Sequence, residues 1–306
     1  MRTKLSCPAT APGPRAVSPV TLPDGPPRAD PLASKLQREI VLLLAWSPAI
    51  LLQLAHPLVA RGIADHGTFR TERYGWRRRL HRTVDAMLRL SFGTERDAQV
   101  ALDRINAIHD RVHGHLPEAA GSFPAGTPYS AHDPALLMWV HATLVQHMNL
   151  RVYELFVDHM APEDRDRYCA EATAIEGGLG IPLGWLPRSA TELDRYMDGM
   201  LAQGEIAVTD SARTLARAIL HPHVPRLGAP ATAVLRFITI GLLPPAIRAG
   251  YGFPWSARRD TALRGLAWHV RALLRLTPPV LRHWPAARAA ARRSECPVAT
   301  LQSPRA

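Results

Sequence analysis

The stretch INAIHDRVHGH, residues 105–115, places His109, His113 and His115 within seven residues. Near neutral pH an imidazole offers a lone pair, so a histidine cluster could bind a metal ion, move a proton or hold haem iron. His109 and His113 stand four apart. On a helix that puts both on one face, the spacing with which H-E-x-x-H enzymes chelate zinc. Here the second position is Asp110, whose short side chain places a base poorly, and no third-ligand motif follows. A ferritin-like diiron centre needs paired Glu-x-x-His motifs, and the chain has none. Haem asks for less, since one neutral imidazole from a helix serves as proximal ligand. The residues alone do not choose between that role and a core histidine bonded to a carbonyl.

The elements that would carry these groups follow from periodicity. Leu102, Ile105, His109, Val112 and Leu116 recur at steps of three and four, one face of a helix. Thr94 with Asp97 three residues on predicts its start, and Pro117 its end. The preceding helix shows Trp76, Leu80, Thr83, Met87 and Leu90 on one face, with Gly93 closing it. A third helix aligns Leu137, His141, Leu144, Met148, Val152 and Leu155. His109 and His141 thus sit inside apolar stripes, where a buried imidazole needs partners for its nitrogens. Two such residues on neighbouring helices suggest a shared polar or metal pocket. His113 and His115 fall off the stripe and read as solvated.

Helical period dominates elsewhere too, and strand-like alternation is scarce, so the expected fold is all-α. The apolar run Ile40–Ala60 has the length of a membrane span. Pro48, Gln53, His56 and Pro57 interrupt it, which predicts two buried helices broken near Ser47-Pro48 and ended near Pro57. GSFPAGTPYSAHDP reads as a loop and GLLPPAIRAGYGFPW as a turn-rich link. Ser189 or Thr191 should cap one later helix, and further helices are expected over 210–220, 229–242 and 258–275. Residues 1–33, rich in Pro, Ala and Gly, are expected to be a disordered arm, 34–287 the helical domain and 288–306 a fraying tail.

Composition narrows the class. Of 306 residues 47% are hydrophobic and 21% charged, values of a globular chain. The net charge of +11 comes almost wholly from arginine spread along the chain, without the clustered basic and aromatic motifs of nucleic-acid binders. Cys7, Cys169 and Cys296 are too scattered for a disulfide framework. With no apolar secretory core at the N-terminus, a reducing, cytoplasmic location is the expectation, with any membrane contact peripheral. There is no G-x-S-x-G or phosphate-binding P-loop, and GGLG at 177–180 is only a loop cluster.

Five blocks occur in order: HPLVARGIADHGTF, then RRRLHRT leading to LSFGT, then IHDRVHG and YSAHDPALLMWVHATL. Together with LLPPAIRAGYGFPW they resemble the MpaB / latex-clearing-protein family of haem b oxygenases over roughly residues 35 to 285. The resemblance implies an all-helical fold around one non-covalent haem b, with O₂ as co-substrate and a hydrophobic small-molecule substrate. It implies His109 as proximal iron ligand and Arg79, Arg82 and Thr83 on the distal side, with Arg79 also available to the cofactor. His141 matches a further pocket histidine, axial or supporting. A slip of one turn would hand the proximal place to His113. Rubber-cleaving members carry lysine where this chain has Arg82, and their interval from threonine to histidine is a few residues longer. These departures point away from rubber itself. The implied activity is attack on a lipophilic, prenyl or polyene substrate, by oxidative C=C cleavage, with an electron donor as a possible partner. The other reading the resemblance allows is a non-catalytic haem-binding or gas-sensing protein.

Overall fold

The computed structural model describes residues 31–67, 75–222 and 228–295, with the backbone alone for 75–79, 146 and 295. The first 30 residues of the expected Pro-rich arm, and residues 296–306, lie outside this description. The architecture is all-α. In chain order the helices are α1 (Leu32–Gln37), a 3₁₀ segment (Ile40–Ala45), α2 (Trp46–Leu54), α3 (Pro57–His66), α4 (Gly75–Phe92) and α5 (Glu95–His109). A two-stranded antiparallel ribbon, β1 (His113–His115) with β2 (Pro128–Ser130), interrupts them. There follow α6 (Pro134–His141), a π-helical segment (Ala142–Met148), α7 (Asn149–Phe156), α8 (Pro162–Ala172), α9 (Glu176–Leu179), α10 (Ala190–Ala202) and α11 (Asp210–Leu220). The chain ends with α12 (Ala229–Leu242), α13 (Pro245–Tyr251), α14 (Ala257–Leu276), α15 (Pro279–Arg282) and α16 (Pro285–Glu295).

The apolar run from Ile40 forms the centre of the bundle. Leu51, Leu52 and Leu54 of α2 are wholly buried. Each such side chain contributes about 1.5–3 kcal/mol by leaving water. α2 packs on the 3₁₀ and π segments, α3, α11 and α12. The break falls at Ala55-His56 rather than at Ser47-Pro48, because Pro48 lies in the first turn of α2, where its missing N–H costs nothing. His56 caps α3 through Nδ1, which accepts from Leu58 N at 3.3 Å. Among the described residues no single helix is long and apolar enough to cross a membrane; Ile40–Leu54 and Pro57–His66 reach that length only together, bent by 106°.

The ends of this bundle are tied. Glu39, almost wholly buried, accepts from Arg282 Nε at 2.6 Å and lies 3.3 Å from His283 Nε2. Helix α16 runs past residue 288 and packs on α4, where Arg293 Nη2 donates to the Phe92 carbonyl at 2.6 Å. GLLPPAIRAGYGFPW is not all turn, since it contains α13, ended by Gly252 in the left-handed region.

Candidate functional site

Local chemistry builds the hairpin that carries the candidate residues. The Thr94 hydroxyl accepts from Asp97 N at 3.2 Å while Asp97 accepts from Thr94 N at 3.0 Å, the reciprocal cap expected from sequence. Gly93 is required by close approach: a Cβ there would stand 2.5 Å from the Arg89 carbonyl and 2.6 Å from Asp97 Cβ. The tight link folds α5 back against α4. With 1.5 Å of rise per residue, Thr83 lies about 15 Å from the link, Arg79 about 21 Å and His109 about 22 Å. Counted along the two helices from that link, His109 and Arg79 are at similar distances and Thr83 is nearer to it. Thr83 is half-buried and Arg82 exposed, while the Arg79 side chain lies outside the described residues.

The helix does not continue to Leu116 as periodicity suggests. It ends at His109, and Val112 N donates to the His109 carbonyl at 2.9 Å. His113–His115 is strand instead, paired His113 to Ser130 and Gly114 to Tyr129. Gly114 makes room for that pairing, since a Cβ would meet Tyr129 Oη at 2.6 Å. The Tyr129 hydroxyl donates to Asp65 Oδ2 at 2.6 Å, and His66 Nε2 lies 3.1 Å from the His113 carbonyl. His109 and His113 therefore do not share a helical face, and the helical zinc-chelating geometry is absent. The side chains of His113 and His115 are exposed.

At the end of α5, the His109 ring is half-buried, and its Nδ1 is sealed from water without a hydrogen-bond partner. Burial lowers its pKa to about 4; His132 adds to the shift and Asp110 opposes it. His132, just beyond β2, stands edge-on to His109 at 5.8 Å between ring centroids and bonds Asp110 Oδ1 through Nε2 at 2.7 Å. Asn106, one turn earlier, donates to the Gly178 carbonyl at 3.2 Å and fixes α5 on α9.

His141 ends α6 and is fully enclosed, with Nε2 3.0 Å from the Ala172 carbonyl. Burial pushes its pKa to about 4 against that carbonyl. Among the described residues no contact joins His141 to His109, so the two in-stripe histidines occupy separate environments. Helical periodicity does not single out His147 in the sequence. It lies in the π-helical segment, its Nε2 is buried without a partner, and burial, then Arg151 and Arg165, lower its pKa to about 4. The expected uninterrupted helix gave no cue to it, because π-turns leave no period in sequence. A small, mainly apolar cleft opens on α4 beside Val84 and Met87, lined also by Trp46 and Trp284; it touches neither His109 nor His141.

Among the described residues no three His, Cys, Asp or Glu side chains converge as a metal cage. The iron-binding chemistry these residues fit is single-histidine ligation. His109 supplies for it a half-buried imidazole, neutral at physiological pH, with an unmatched polar atom.

Searches of curated proteins and of solved structures return no match. A family model described as "ER-bound oxygenase mpaB/B'/Rubber oxygenase, catalytic domain" matches residues 35–272, which span everything from α1 to the last turns of α14. That match covers most of the chain, and the protein belongs to this family of oxygenase catalytic domains.

Proposed function

We propose that this oxygenase-family protein is a haem b enzyme with His109 as the proximal ligand, acting on a lipophilic substrate with O₂. The observation that carries the proposal is the His109 ring. A buried polar atom without a partner costs about 1–3 kcal/mol, and iron ligation would give this ring a role worth that cost.

Haem, when bound, would supply the centre for dioxygen activation. The chain would do the rest. His109 presents a neutral imidazole, because burial keeps the proton off near pH 7. His132 limits the tilt of that ring and Asp110 limits His132. The Thr83 hydroxyl would offer a hydrogen bond to an oxygen of the co-substrate. Arg79 and Arg82 would supply guanidinium groups for haem propionates or that same oxygen, and the exposure of Arg82 suits propionates at the surface. The bond from His141 to the Ala172 carbonyl favours a supporting place over an axial one. Prenyl and polyene chains are the substrate class we favour, from the likeness to a family whose description names rubber oxygenases.

The test is the ultraviolet–visible spectrum of purified protein, followed by oxygen uptake with prenyl and polyene substrates. A Soret band with substrate-dependent uptake is the expected result. No Soret band after haem supplementation overturns the haem assignment. A Soret band without uptake on any substrate would favour a non-catalytic haem protein.

A further inference from the structure

Helix α14 turns Leu263, Ala267, Val270 and Leu274 toward the core. Its opposite face should be polar on a surface helix. Over the last turns it is not: Trp268 is 66% exposed, Leu273 65% and Leu276 84%. The apolar surface continues into α15, where Val280 is 56% exposed and Leu281 70%. Five large apolar side chains in fourteen residues are more than the scattered singles an ordinary surface carries.

The chain around them is rich in arginine. Residues 261–294 contain seven arginines and no Asp or Glu. Arg271 and Arg282 turn inward, to the carbonyls of Glu154 and Leu155 and to Glu39. Arg264 and Arg275 stay at the surface, and Asp158 lies 3.9 Å from Arg275. An exposed tryptophan and leucines edged by arginine match the interfacial helices that settle between lipid headgroups and acyl chains.

From this placement we infer that the outer face of α14 together with α15 docks the protein on an anionic lipid surface. The apolar side chains would enter the headgroup boundary, and Arg264 and Arg275 would meet lipid phosphates. A nucleic acid would suit the arginines but not Leu276 and Leu281. A second copy of this chain would bring like charge against like.

Vesicle flotation of the full chain tests the inference. Binding is expected to phosphatidylcholine vesicles containing phosphatidylglycerol, to weaken with added salt, and to be at least ten-fold weaker on pure phosphatidylcholine. Arg264→Glu with Arg275→Glu should weaken it by roughly twenty-fold or more, from about five-fold for each lost charge. Leu276→Asp with Leu281→Asp should abolish it while leaving the circular dichroism unchanged, since both side chains lie outside the core. Brominated lipid should quench the wild type more than Trp268→Phe. Three results overturn the inference: no binding to anionic vesicles, binding indifferent to both double variants, or Trp268 unquenched in the bound state. A concentration-dependent dimer lost in Leu276→Asp would likewise overturn it, assigning the face to a second copy.

Discussion

His132 stands edge-on to His109, their ring planes at 82°, and is itself held by Asp110, the residue that follows His109. The loop and ribbon after α5 thus return the chain to its own helix end. The contact is one of rings rather than a hydrogen bond, so His132 limits the tilt of His109 without changing its basicity by donation. His132→Ala should leave the protein folded and weaken haem retention by about ten-fold, the lower end for a residue that orients a ligand. Haem transfer to apomyoglobin measures it; unchanged transfer would remove His132 from the site.

His109→Ala should lose most haem, because a b-type cofactor has no covalent tether. His113→Ala should change little, as its side chain is exposed and its backbone carries the contacts. Leu102→Ala, a cavity on the same helix, is the control, expected to cost about 2–5 kcal/mol of stability and leave the Soret band in place. Equal haem loss in Leu102→Ala and His109→Ala would withdraw the ligation argument.

Thr83→Ala should keep haem and lower turnover, since it removes a hydroxyl and little volume. Oxygen uptake at matched haem content decides it, and unchanged turnover on a confirmed substrate would clear Thr83 of a distal role.

Four histidines, the buried His56 and His141 and the half-buried His109 and His147, have pKa values lowered by desolvation to about 4 in the folded chain. Unfolded, each would take a proton near 6.5. Below that value the unfolded state binds more protons, so stability is complete above pH 6.5 and drains as pH falls toward 4. The loss is on the order of 3 kcal/mol for a fully enclosed ring such as His141. Thermal melts of haem-free protein should therefore drop between pH 6.5 and 4.5, above the range where carboxylates titrate. His147→Gln should flatten that drop. A melting temperature constant over this range would refute the assignment.

Glu39→Gln should destabilise the protein by about 3 kcal/mol, because it leaves Arg282 beside a neutral, buried partner. Urea unfolding measures it, and Glu39→Leu combined with Arg282→Leu should cost less than Glu39→Gln alone.

Features with a local cause were legible in the sequence. Thr94 and Asp97 form the expected cap, Ser189 accepts from Glu192 N, and helices over 210–220 and 229–242 fall where apolar period places them. What depends on distant partners was not. The strand at His113 exists because Tyr129 returns over Gly114, and no periodicity within 105–116 carries that information. The π-segment inside the expected long helix left no spacing to read. For the site, Asp110 was read only as a poor catalytic base, whereas the fold uses it to hold His132. The extent of α16 likewise rests on α4, some two hundred residues away in sequence.

That last dependence has a consequence for synthesis. The α4–α5 hairpin carries the candidate ligand, yet α4 is seated between α1 at one end of the described chain and α16 at the other. The Arg293 contact to Phe92 closes across 201 positions and the Arg282 contact to Glu39 across 243. A nascent chain can form the hairpin before residue 293 exists but cannot seat it on α16, so any cofactor capture that needs the seated hairpin would have to wait for that helix.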